Sequence, residues 1–130
     1  MSKIKAQFWG GKFINENVFK DFFEERYTED DNESISKFAE SQNETWIDHD
    51  FLEIGFEITG KNIKEKFIDY SYAEKWINTF EKKLIEKNIS DVNAIIMVNY
   101  DNEISQIKFP KSHRDENLQI EYLGEIEYEY

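Results

Sequence analysis

At 130 residues, with 39% hydrophobic and 34% charged side chains, the chain is long enough for one domain (residues 1–130) with a genuine core. Eleven Phe, seven Tyr and three Trp exclude a disordered acidic chain, which lacks the apolar area that large rings supply. The lack of cysteine excludes disulfides and thiolate metal sites. A net charge of −12, from 28 acidic and 16 basic side chains, argues against nucleic acid as a direct ligand.

The N-terminus, Met1-Ser2-Lys3-Ile4-Lys5, holds no apolar run suited to a signal peptide, and no segment approaches the ~18 apolar residues of a membrane span. The expectation is a cytoplasmic protein without membrane contact. A first strand is predicted over 3–9, where Ile4, Ala6 and Phe8 alternate with polar neighbours, and Gly10-Gly11 is read as a turn. Parity places Trp9 on the opposite face. It is read as core beneath a second covered face, the alternative being an exposed anchor for a partner. Asn15 is a plausible N-cap for a helix that puts Val18, Phe19, Phe22 and Phe23 on one side. Residues 28–33 read as an acidic loop, and Ser34 as the cap of a short helix with Ile35, Phe38 and Ala39 inward.

Alternation returns over 51–58, with Leu52, Ile54, Phe56 and Ile58 on one face and Glu53 and Glu57 on the other. Residues 62–68 suit one or two helical turns. The strongest helix spans 72–87: Ser71 and Glu74 match a capping box, and Tyr72, Trp76, Phe80 and Leu84 recur at i+4. Residues 92–100 form the most apolar run and read as a strand covered on both faces. Asp101-Asn102-Glu103 is read as a turn into a partner strand at 104–109, ended by Pro110. A last strand over 118–128 sets Leu118, Ile120, Tyr122, Ile126 and Tyr128 on one face and Glu121, Glu125 and Glu127 on the other. The class is α+β, with about five mostly antiparallel strands packed against about three helices.

The charge is concentrated in two stretches. Residues 24–57 carry twelve carboxylates against Arg26 and Lys37, and residues 115–130 carry six with no Lys or Arg. One reading is a solvated, solubilising surface. The other is a face that meets a cationic partner. Glutamates two apart on the last strand lie about 6.7 Å from each other, a repulsion of roughly 0.6 kcal/mol in water, so the row is tolerable without a partner. Protection of a sheet edge explains it as well as partner binding does.

No nucleophile elbow, phosphate-cradling glycine loop or HExxH motif is present, so no catalytic residue and no cofactor is assigned. Asp48-His49-Asp50 is the nearest approach to an active-site string. Three consecutive side chains do not converge on one metal, so it is read as acidic surface or a turn, and no metal site is assigned. His113, in Lys111-Ser112-His113-Arg114, reads as a solvated loop histidine. Trp46, beside Asp48 and Asp50, is either a partner anchor or a ring closing the core.

The order of short motifs carries a resemblance across nearly the whole chain. Phe8-Trp9-Gly10 leads into the Phe-rich helix, followed by Tyr27, the acidic loop and Ser34 to Phe38. Then come Asp48-His49-Asp50-Phe51 with Glu53, Ser71-Tyr72, Asn93-Ala94, and Tyr122-Leu123-Gly124 with Ile126 and Tyr128. This resembles the immunity protein 22 family of bacterial polymorphic toxin systems. The resemblance implies a cytoplasmic, non-enzymatic protein that binds and neutralises a cognate toxin domain, in such systems often a nuclease. The acidic side chains fit that implication, since an acidic inhibitor can occupy a basic cleft as a phosphate mimic. The expected contacts are Glu29, Asp30, Asp31, Asp48, Asp50 and Glu53, with Trp46 as anchor and the stripe containing Glu125 and Glu127 as second choice. The competing classes are a small carboxylate-dependent, metal-binding enzyme and a regulatory or adaptor domain with a non-toxin partner. The sequence leaves the oligomeric state open.

Overall fold

A computed structural model describes residues 3–27, 34–44, 52–58, 62–70, 72–100 and 107–129. In chain order its elements are β1 (Lys3–Phe13), α1 (Glu16–Phe23), β2 (Arg26–Tyr27), β3 (Ser34–Ile35), α2 (Lys37–Ser41), β4 (Leu52–Phe56), α3 (Ile63–Phe67), α4 (Ala73–Glu86), β5 (Ala94–Tyr100), β6 (His113–Arg114) and β7 (Leu118–Glu129). Five strands form one antiparallel sheet in the order β4-β5-β1-β7-β6, and β2 pairs with β3 in a separate two-stranded ribbon. The fold is α+β, with helices on both faces of the sheet.

Both faces are apolar because β1 and β5 direct hydrophobic side chains to each side of the sheet in alternation. On one face Ala6, Phe8, Ile95 and Met97 meet Phe67 of α3 and Trp76, Ile77, Phe80 and Leu84 of α4. On the other, Trp9, Phe13, Ile96 and Val98 meet Phe19, Phe22 and Phe23 of α1 and Phe38 of α2. Trp9 is fully buried, so its parity placed it correctly in a second covered core. Its ring sits edge-on to Phe38 at 5.3 Å, an arrangement that favours the aromatic quadrupole.

Asn15 caps α1 as its side-chain oxygen accepts the Val18 N–H at 2.9 Å. The cap of α2 is Ser36, two residues beyond the expected Ser34, which lies in β3. The N-cap position of α4 is Tyr72, which adopts a left-handed φ of 55° and supplies no side-chain cap, while the expected partner Ser71 lies outside the described residues.

Three further expectations are corrected. β1 does not turn at Gly10-Gly11 but runs on to Phe13. A Cβ on Gly10 would stand 2.7 Å from Leu84 Cδ2, so this glycine gives space to α4 rather than a bend to the chain. The last strand does not keep one apolar face. The β1–β7 register shifts between Phe8 and Trp9, which pair with Gly124 and Tyr122 and leave Leu123 as the extra residue. Across this bulge Leu118 and Ile120 face α1 and α2, whereas Leu123, Ile126 and Tyr128 face α3 and α4. Gly124 accommodates the irregularity at φ +115°, open to glycine and unfavourable to other residues.

The third correction concerns the expected strand at 104–109. Residues 101–106 lie outside the described residues, and Ile107–Lys111 is a strap, not a strand. Buried side-chain amides occupy its backbone groups. Gln7 Nε2 donates to the Ile107 carbonyl at 2.7 Å and Gln7 Oε1 accepts the Ile107 N–H at 2.8 Å. Gln42 does the same for Lys111, at 2.9 and 2.7 Å.

Candidate partner-binding face

Of the expected contacts, Glu29, Asp30, Asp31, Trp46, Asp48 and Asp50 lie outside the described residues. The other three do not share a face. Glu53 pairs with Met97 and so points to the α3–α4 side, while Glu125 and Glu127 pair with Gln7 and Lys5 and point to the α1–α2 side.

Glu53 sits at the end of a polar chain across the sheet. The Tyr128 hydroxyl donates to Asn99 Oδ1 at 3.4 Å, and the Asn99 side chain in turn hydrogen-bonds the Glu53 carboxylate. Burial raises the Glu53 pKa above the ordinary glutamate value, and the Asn99 hydrogen bond offsets part of that shift. Glu125 and Glu127 are exposed, but each has a neighbour on the same face. Tyr100 hydrogen-bonds Glu125, and Lys5 stands directly across from Glu127 in the register. The Lys5 charge offsets part of the negative field of this stripe, whereas the neutral Tyr100 hydroxyl only holds the Glu125 carboxylate in place.

Among the described residues the helix of the 24–57 stretch is α2, which packs on α1, while β4 of the same stretch joins the edge of the main sheet. Phe38 and Ala39 bury the inner side of α2, and Ser36 Oγ accepts the Ala39 N–H at 3.1 Å. Glu40 is exposed on its outer side, and Glu44 accepts the Lys108 N–H at 3.2 Å. Lys37, one of the two basic residues in the stretch, makes an ion pair with Asp21 of α1 at 2.5 Å.

A cleft of about 500 Å³ opens between α1, α2 and β6, lined by Phe22, Lys37, Glu40, Ser41, His113 and Asp115. Sequence reasoning missed it. His113 is not a freely solvated loop residue but half-buried on β6, its ring stacked on Phe22 with centroids 6.0 Å apart and planes 23° from parallel. Its Nε2 lies 3.6 Å from Asp115 Oδ2. Asp115 Oδ1 accepts the N–H groups of Asn117 and Leu118 at 2.7 and 3.1 Å. Chiefly the Asn117 bond holds the carboxyl below its usual pKa. The one available signal was the His113-x-Asp115 spacing, which sets two side chains on one side of an extended chain.

Among the described residues no three His, Asp or Glu side chains converge as a metal site, and no helix is long and apolar enough to cross a membrane. No curated protein and no solved structure matches the chain. The family model of Immunity protein 22 matches residues 6–129, nearly its whole length. That span covers both cores, the cleft and every strand pairing of the five-stranded sheet from Ala6 onward, and the chain belongs to the Immunity protein 22 family.

Proposed function

We propose that the chain is a stoichiometric inhibitor, not an enzyme, and that it neutralises a cognate toxin in the cytoplasm by covering a basic surface of that toxin with the acidic 24–57 stretch. Family membership supports a toxin-neutralising role in general. The observation that carries the finer reading is the charge partition: twelve carboxylates against Arg26 and Lys37 in one stretch. A toxin that handles phosphodiesters requires a cationic cleft, so a nuclease is the class whose working surface this charge complements. The same charge argues against nucleic acid as a direct ligand of the inhibitor itself.

Electrostatic complementarity of this kind acts mainly on the rate of encounter. Asp30, Asp31, Asp48 and Asp50 are the expected charged contacts, with Glu29 and Glu53 flanking them and Trp46 as anchor. Reversal of those four aspartates to Lys is expected to slow association with the toxin by about 10- to 100-fold at low salt and to flatten its salt dependence. Stopped-flow mixing across a salt series measures both. An unchanged on-rate with unchanged protection of toxin-expressing cells removes the acidic stretch as the interface and leaves the Glu125–Glu127 stripe as the alternative.

A further inference from the structure

We propose that the cleft between α1, α2 and β6 is a socket for an arginine side chain of the protein partner. The proposal rests on the reading that this chain meets a basic toxin, and it names the anchor of that contact. Its placement follows from the sequence: α2, which supplies Lys37, Glu40 and Ser41, lies midway along the acidic 24–57 stretch.

Size, shape and charge agree. The cleft, at about 500 Å³, is open and has ample room for an arginine side chain. The half-buried His113 ring, backed by the buried Phe22 ring on which it stacks, provides a flat wall, and a planar guanidinium stacks on such a wall where a compact ammonium does not. Glu40 stands exposed on one side of the cleft and Asp115 on the other. Asp115 is kept ionised by the Asn117 and Leu118 N–H groups, so it presents a permanent carboxylate. Ser41 is already engaged, its hydroxyl donating to the Phe38 carbonyl at 2.6 Å and accepting from Gln42 Nε2 at 3.0 Å, so the charged acceptors of the cleft are Glu40 and Asp115.

Among the described lining residues Lys37 is the one lysine or arginine, and Asp21 at 2.5 Å counters its charge. Among the described residues an anionic ligand would face two carboxylates, Glu40 and Asp115, with the Lys37 charge already countered. An arginine meets acceptors on two walls, and its fork of donors reaches both at once, whereas lysine offers a single point charge.

The test uses the full chain. Isotope-labelled protein is titrated with N-acetyl-arginine amide, with the lysine amide and the neutral citrulline amide as controls, and followed by NMR. The expected result is a saturable shift confined to the Lys37–Ser41 amides and the His113 ring, about tenfold weaker for either control and weakened severalfold by Glu40→Gln. Equal binding of lysine or citrulline, or shifts elsewhere on the surface, overturns the socket. In the complex with the toxin, Glu40→Lys is expected to raise Kd at least about tenfold with an unchanged Tm. A wild-type Kd for that variant also overturns the socket. A wild-type chain that binds no toxin overturns the inhibitor reading instead, and the arginine-amide titration then decides the socket alone.

Discussion

Gln7 and Ile107 close a two-bond ring across one hundred residues of chain, the glutamine amide taking the backbone C=O and N–H of the same residue at 2.7 and 2.8 Å. Asn93 repeats the device on Phe13, with both bonds at 2.9 Å, and Gln42 repeats it on Lys111. A primary amide presents the same donor and acceptor pair as a peptide unit, so each clasp stands in for one rung of a ladder where no strand follows. The strap is thereby fixed over the α1–α2 face just before it delivers His113 to the cleft.

Gln7→Leu removes both bonds and leaves the Ile107 N–H and C=O buried without partners. The expected loss is about 2–4 kcal/mol in urea unfolding, since each stranded group costs about 1–3 kcal/mol. Gln7→Glu places a carboxylate oxygen where Nε2 faced the carbonyl, so it is expected to destabilise at neutral pH and to regain stability as acid protonates the side chain. Wild-type stability in both variants would show that the clasp carries no energy.

Gly55 lies on β4 beneath Tyr70, and a Cβ built there collides with the Tyr70 ring. Tyr70 also donates from its hydroxyl to Glu57 Oε1 at 3.2 Å and packs edge-on against Phe67. Gly55→Ala must displace that ring from both partners. A loss of about 1–3 kcal/mol is expected, the range for overpacking a filled site. The paired variant Gly55→Ala with Tyr70→Ala opens the space, and its cost should fall below the sum of the single changes. Strict additivity would mean that the ring moves aside freely.

Much of this architecture was legible locally. The cap at Asn15, the Trp76–Phe80–Leu84 stripe and the doubly covered β5 each depend on residues within a turn or a strand of one another. What was illegible depends on distant partners. The bulge at Leu123 is set by pairing with β1, and one extra residue sends Ile126 and Tyr128 to the opposite face from Ile120. Gly10 has the composition of a turn and the role of a gap, because Leu84 lies over it. The clasp of Gln7 and the stacking of His113 on Phe22 join residues about ninety or more apart, a separation that leaves no period in the sequence. Glu53 and Glu125 looked alike as surface acids, yet pairing with Met97 and Gln7 sets them on opposite faces.

Glu53 carries a pKa raised by burial, with Asn99 opposing the shift. A carboxyl whose folded pKa exceeds its unfolded value stabilises the fold fully below the unfolded value, and that contribution is lost as pH rises through the folded one. Glu53→Gln keeps the neutral form at every pH. It is therefore expected to raise unfolding stability at pH 7 by less than about 1 kcal/mol for so open a residue, and to match wild type below pH 4. A variant less stable than wild type at pH 7 would show that the ionised carboxylate helps the fold through Asn99.

Four tyrosines extend the same logic into alkali. Tyr70, Tyr122 and Tyr128 are each pushed up to about 12, first by burial and then by Glu57, Glu125 and Glu53 respectively. Tyr100 is driven higher still by burial and its hydrogen bond to Glu125. Unfolded tyrosine ionises near 10, so the stabilisation these groups contribute is whole below pH 10 and is lost as pH rises through about 12. Absorbance at 295 nm should accordingly show four of the seven tyrosines silent in the native chain at pH 11 and all seven titrating near 10 in urea. Glu53→Gln should lower the Tyr128 midpoint specifically, because it removes a negative charge that opposes the phenolate. Tyr100→Phe should leave that midpoint in place and soften the alkaline loss of stability. Native tyrosines that all titrate near 10 would mean that these hydroxyls are solvated, and the polar chain from Tyr128 through Asn99 to Glu53 would then have no energetic standing.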